Sequence, residues 1–169
     1  FLFLLLPAGF ETTRHLLANA MIAFLDAPEE YTALRDDPSR IPAFVEEVLR
    51  HNPSVHSIAR ITTQAVEIGG ATIPAGSPVF VLLGATGRDP EFADDPDRFD
   101  RSRENAGLLS FGHGIHFCLG AALARLEARV GLQALTERFR GFERGAGKLA
   151  WNTTATVRGP LRLCVRPLC

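Results

Sequence analysis

An excess of charge of either sign is missing from these 169 residues: nineteen acidic side chains face eighteen basic ones, leaving a formal net charge of −1. With 46% hydrophobic residues, that balance describes a globular chain and excludes a disordered one or one built to coat a nucleic acid. No long basic helix and no alternation of basic with aromatic residues offers a nucleic acid a track. Cysteine is scarce as well. Cys118, Cys164 and Cys169 make no disulfide framework, and a reducing cytoplasm is the expected compartment. The longest opening apolar run, FLFLLL, is far too short to span a membrane and follows no basic leader, so no membrane is expected. Gly-x-x-x-x-Gly-Lys and Gly-x-Gly-x-x-Gly are both absent, which removes two familiar phosphate-binding loops, and no internal repeat marks a solenoid. A starting methionine is lacking, and residue 1 falls inside a helical pattern. The chain is therefore expected to be the C-terminal portion of a longer protein.

What is present begins with helices. Residues 1–25 read as one long helix with Leu16, Leu17, Ala20, Met21 and Phe24 on its apolar face. Pro7 predicts a kink or bulge there, because proline lacks a donor and crowds the preceding turn. Asp26 is expected to cap a second, short helix that ends near residues 36–38. Residues 42–51 form the next, with Phe44, Val45, Val48 and Leu49 inward and Pro53 stopping it. The period then changes. Residues 58–62, 66–68, 71–73 and 79–83 read as short strands, with Gly69-Gly70 as a hairpin turn. Residues 87–105 show little periodicity. A second long helix is expected over 119–140, with Leu119, Leu123, Leu126 and Val130 as its buried stripe, and two strands over 154–157 and 161–165 close the chain.

The chemistry concentrates in residues 111–125, FGHGIHFCLGAALAR, where a glycine-broken loop enters the second long helix at Cys118. The first-turn N–H groups of a helix favour negative charge beside them, and the thiolate is the form in which cysteine binds metals. Gly112, Gly114 and Gly120 let backbone or a flat ligand approach the sulfur closely. Three readings fit these residues: a buried cysteine packed as a small hydrophobe, a zinc site using His113, His116 and Cys118 without an obvious fourth ligand, and a haem iron held by one thiolate.

The pattern Phe-Gly-x-Gly-x-His-x-Cys-x-Gly, extended by Leu123, Ala124 and Arg125, resembles the haem-binding loop of the cytochrome P450 family, bacterial soluble type. Upstream, the small and polar residues Ala8, Gly9, Glu11, Thr12 and Thr13 break helix propensity in mid-helix. Ala-Gly-x-Glu-Thr-Thr resembles that family's oxygen-activation segment. Glu47 and Arg50 share one side of their helix and match its Glu-x-x-Arg, a buried scaffold for which Arg98, in Pro96-Asp97-Arg98-Phe99, is the expected third member. The resemblance covers nearly the whole chain in the right order. It implies a mainly α fold with small antiparallel or mixed β-sheets, the C-terminal portion of the cytochrome P450 fold, with residues 1–169 part of a single haem-thiolate monooxygenase domain.

The same resemblance implies haem b (iron protoporphyrin IX) as cofactor and Cys118 as its axial ligand. Arg60 and His116 are expected at the propionates, Phe111 beside the thiolate, Gly112 in the loop, and Ala8 and Gly9 on the opposite face. Helix-start N–H groups are expected to bond the sulfur. Thr12 would hydrogen-bond dioxygen or an ordered water and Glu11 would pass protons inward, while Thr13 would bond the helix backbone. The implied reaction inserts one oxygen of O2 into a small lipophilic substrate, with electrons from a ferredoxin or flavodoxin-type donor; Arg125 and Arg129 are candidates to dock it. The alternatives are a haem-thiolate peroxygenase using hydrogen peroxide, against which the Glu11–Thr12 pair argues, and a catalytically incompetent haem-binding fragment. Without the family's N-terminal helices, the isolated chain is expected not to hold haem stably and to be inactive.

Overall fold

Leucine, alanine and phenylalanine spaced three to four residues apart seat the first helix, α1 (Leu2–Asp26), with Leu16, Ala20 and Phe24 facing inward. The computed structural model describes residues 2–169, with side chains from residue 3; Phe1, at the start of the expected helix, lies outside the described residues. Helix α1 continues through Pro7, the residue at which a kink or bulge is expected. Pro7 stands within its first two turns, where one lost bond, to the carbonyl of the exposed Phe3, can be met by water.

Helices α2 (Pro28–Asp36) and α3 (Ile41–His51), and the 3₁₀ turn Pro38–Arg40 between them, each place a proline at the first or second position, where its missing N–H has no intrahelical partner to lose. Ala27, not Asp26, is the N-cap of α2 and makes no side-chain cap. Asp26 ends α1, and its carboxylate pairs with Arg144 instead. The core forms where these helices meet α5 (Ala121–Arg138): Phe24 stacks on Phe44 at 4.6 Å between centroids and meets the edge of Tyr31 at 4.9 Å. Tyr31 donates its hydroxyl hydrogen to the Leu135 and Phe139 carbonyls at the end of α5, 2.8 and 3.1 Å away.

The stripe expected to bury α5 does not. Leu119, Leu123, Leu126 and Val130 are exposed, and the buried face carries Ala121, Ala128, Leu132 and Thr136. Small residues let α5 lie close to α1, so a leucine pattern pointed to the wrong side; Gly131 at that contact would set a Cβ 3.2 Å from Leu17.

The strands pair as four two-stranded antiparallel sheets among the described residues. The first joins β1 (Ile58–Ile61) to β4 (Pro78–Val81), and the second joins β2 (Val66–Ile68) to β3 (Ala71–Ile73). Gly69 and Gly70, with φ of 58° and 78°, make the expected two-residue turn. Leu83 opens the short helix α4 (Leu83–Thr86) and does not end β4. The tail differs from expectation more. β5 (Gly141–Arg144) pairs with β8 (Val165–Leu168), and β6 (Ala150–Trp151) with β7 (Pro160–Arg162). Residues 154–157 form no strand, keeping one bridge between Val55 and Val157. The architecture is thus helical with small sheets.

Candidate functional site

The cysteine loop is shaped by its own backbone. Gly112 (φ 73°) and Gly114 (φ 67°) hold left-handed conformations that L side chains avoid, and Gly114–His116 coils into one 3₁₀ turn. A Cβ on Gly112 would make only an ordinary contact, and one on Gly114 would meet open space, so both glycines serve the turn more than clearance around the sulfur. Phe117 N–H donates to the Gly114 carbonyl (3.0 Å) and Cys118 N–H to the Phe111 carbonyl (2.9 Å), closing the loop on itself. Cys118 is exposed at its end. Among the described residues no hydrogen bond reaches its sulfur. The Ala121 N–H at the start of α5 goes to the Cys118 carbonyl (3.2 Å) and not to Sγ as expected.

Two anchors fix this loop to α3. Ser110 Oγ donates to the Leu49 carbonyl at 2.6 Å, and Arg125 grips Glu46 with Nε and Nη2 at 2.6 and 3.0 Å. The Arg125 guanidinium also lies over the Phe111 ring, 4.5 Å from its centroid. Its pKa is raised by the Glu46 hydrogen bonds. Arg125 is therefore a clamp between α5, α3 and the loop and not the free docking charge expected of it, whereas Arg129 is exposed.

Behind the clamp lies the scaffold pair. Glu47 and Arg50 are both fully buried, and all five guanidinium donors are used. Nε and Nη2 meet the two Glu47 oxygens at 2.8 Å each, Nη1 reaches the carbonyls of Gly87 (2.6 Å) and Pro96 (2.7 Å), and Nη2 also reaches that of Arg98 (2.9 Å). The Asp100 N–H donates to Glu47 Oε1 at 2.6 Å. Arg98 thus joins through its carbonyl, and the arginine whose charge approaches Glu47 is Arg103, at 3.8 Å. A backbone contribution carries no residue signature, which is why the motif pointed to the wrong side chain.

On α1, Ala8 and Gly9 are exposed, and a Cβ on Gly9 would meet nothing within 4 Å. The Thr12 hydroxyl donates to the Ala8 carbonyl at 2.6 Å, taking the helix-backbone bond expected of Thr13, which is buried. The Thr12 carbonyl accepts from Ser54 Oγ at 2.8 Å, and the Ser54 carbonyl accepts from the Arg158 N–H at 2.8 Å, tying α1 to the tail. Glu11 faces His15 one turn on, 3.6 Å from Oε1 to Nε2. His15 and Asn19 are buried polar residues that the sequence reading passed over. The steps of four from Glu11 to His15 and from His15 to Asn19 were the available signal, masked by the leucines around them.

Arg60, on exposed β1, donates to the Ala59 carbonyl at 2.8 Å. His113 and His116 are both exposed. No group of three histidine, cysteine or carboxylate side chains is poised for a metal ion among the described residues, so zinc lacks its donor set. A single exposed thiol on a self-closed loop, next to the exposed apolar Phe117 and Leu119, fits a large flat ligand that takes one sulfur from the protein. A cavity of about 450 Å³ lies elsewhere, lined by Asn19, His51, His56, Arg88, Trp151 and Arg158. Burial lowers the pKa of His51 and His56 there. No helix among the described residues is long and apolar enough to cross a membrane.

Known proteins share this arrangement. The family model described as Cytochrome P450 matches residues 1–150, and the chain belongs to that family. It is 48% identical to Cytochrome P450 107B1 of Saccharopolyspora erythraea over 98% of the chain and 42% of that protein. To the cytochrome P450 monooxygenase PikC of Streptomyces venezuelae it is 45% identical, over 96% of the chain and 40% of PikC. It superposes on the solved structure of cytochrome P450 CYP109Q5 from Chondromyces apiculatus with a TM-score of 0.95 at 45% identity, covering 99% of this chain and 44% of that one. The chain thus spans about two fifths of the length of these relatives.

Proposed function

We propose that residues 1–169 form part of a single haem-thiolate monooxygenase domain that places one oxygen atom of O2 into a small lipophilic molecule. The observation that carries this is the exposed Cys118 thiol, presented by a glycine-shaped loop that Ser110 and Arg125 anchor to α3. Support also comes from relatives named for such chemistry, among them an erythromycin C-12 hydroxylase and a 6-deoxyerythronolide B hydroxylase.

In this reading Cys118 would hold haem b, whose iron, when bound, supplies the reduction and cleavage of dioxygen. The chain's own residues do the rest. The Phe111 ring, pinned under Arg125 in the loop that carries Cys118, is the candidate to pack beside the thiolate. Arg60 and His116, both exposed, are the candidates for the propionates, a guanidinium suiting a carboxylate best. Gly9 leaves room beside α1, Thr12 offers a hydroxyl there once it turns from the Ala8 carbonyl, and Glu11 holds or passes a proton at its carboxylate. A ferredoxin or flavodoxin-type protein supplies electrons, with Arg129 as one exposed docking charge.

The test is the spectrum of the reduced whole protein under carbon monoxide. The strongly red-shifted Soret band of thiolate ligation is expected, and Cys118→Ala should abolish it. A haem-loaded protein without that band, or a variant that keeps it, overturns the assignment.

A further inference from the structure

His15 is an unusual residue to bury. Its side chain is 2% exposed, and neither ring nitrogen has a hydrogen-bond partner among the described residues. A satisfied core histidine would have at least one, and leaving both bare is a cost that a leucine at this position would avoid. The ring is also tightly confined. A Cβ on Gly159, in the tail, would lie 1.7 Å from Nδ1 and 2.2 Å from Cγ, so the absence of a side chain at Gly159 is what admits the imidazole. Confinement on that side leaves Nε2 directed to the Glu11 carboxylate at 3.6 Å, just beyond hydrogen-bond length. Glu11, with 44% of its side chain exposed, is the partner able to move.

We propose that His15 is a positioning residue for Glu11: its Nε2–H is donated to one carboxylate oxygen, which fixes the direction of the other. The inference rests on the oxygen-activating reading of Glu11 given above. A carboxylate on an exposed helix face otherwise samples several rotamers, and a proton carrier must present one oxygen repeatedly at the same place. A hydrogen bond from a rigid imidazole one turn away selects the rotamer. Burial, with Arg14 beside it, lowers the pKa of the imidazole against the opposing pull of Glu11, which favours the neutral ring, a donor at one nitrogen only. Glu11 and Arg14 are the charges that bear on the ring from α1. From the tail, Arg158 adjoins Gly159, but its guanidinium is turned onto the Trp151 ring at 4.3 Å.

Two measurements on the whole protein test this. In protein carrying histidine labelled at Cε1, the His15 resonance is expected to shift on Glu11→Leu. During turnover, the share of consumed O2 released as peroxide is expected to rise severalfold in His15→Leu. His15→Gln, which keeps a donor, should return it toward the parent value, and Gly159→Ala, which displaces the ring without altering either partner, should mimic His15→Leu. A His15 resonance indifferent to Glu11→Leu overturns the proposal, as does peroxide release equal in His15→Leu and His15→Gln. Because the labelled-histidine measurement needs no haem, its failure is distinguishable from loss of the carbon monoxide spectrum, which would sink the haem-thiolate reading alone.

Discussion

Two acid–base pairs of almost the same sequence spacing sit on neighbouring helices, Glu47–Arg50 on α3 and Glu11–His15 on α1, and they are opposites in construction. In the first, both members are buried and every guanidinium donor has an acceptor. In the second, the base is buried without a partner and the acid stands half in solvent. A pair with no bonding capacity left has one geometry and holds structure. A pair with capacity left over can exchange partners, which is what proton handling requires.

The sharpest way to break the comparison is to remove Arg50. Arg50→Leu leaves the Glu47 carboxylate buried beside empty carbonyls, and urea unfolding should show a loss of about 3–5 kcal/mol. A loss of less than about 1 kcal/mol would mean that the network relaxes and is not a single unit.

The next effect is on pH dependence. His15, His51 and His56 all have folded pKa values lowered by burial, so the unfolded chain binds protons more readily than the folded one. Their neutral forms give stability that is fully present above the unfolded value near 6.5 and is lost as pH falls through it, down to the lowered folded values. Unfolding free energy should drop between pH 7.5 and 5.5 by at most about 1.4 kcal/mol per pH unit for each proton taken up. His15→Leu should flatten that slope; an unchanged slope would place the titration at the other two histidines. Smallest of all, Glu11→Gln should move unfolding by no more than about 0.5 kcal/mol, since its carboxylate is half exposed. A larger loss would make Glu11–His15 a structural pair like its neighbour.

Much of this molecule was legible in its sequence where local chemistry decides the outcome. Apolar spacing located α1 and α3, Gly69-Gly70 located a hairpin, and the loop at Cys118 carried its own glycine signature. Legibility failed where the answer belongs to a distant partner. The α5 leucines mark a helical face but not what covers it, and the close contact is made by alanines and Gly131. Arg98 contributes a carbonyl, which any residue could supply. Arg125 has a partner, Glu46, 79 positions earlier, so from sequence it looked like free surface charge.

Ser54 has a consequence for the order in which the protein is made. Its hydroxyl holds the Thr12 carbonyl and its carbonyl holds the Arg158 N–H, so one serine joins segments 42 and 104 positions apart. Gly159, next along, closes over His15. On a ribosome the α1 segment emerges well before Arg158 and Gly159, so its polar side cannot be finished until they have followed. Contacts of such long sequence separation form late because loop closure must come first. The residues proposed to handle oxygen thus acquire their setting late, and a chain stopped before Arg158 should possess the cysteine loop without a completed partner across from it.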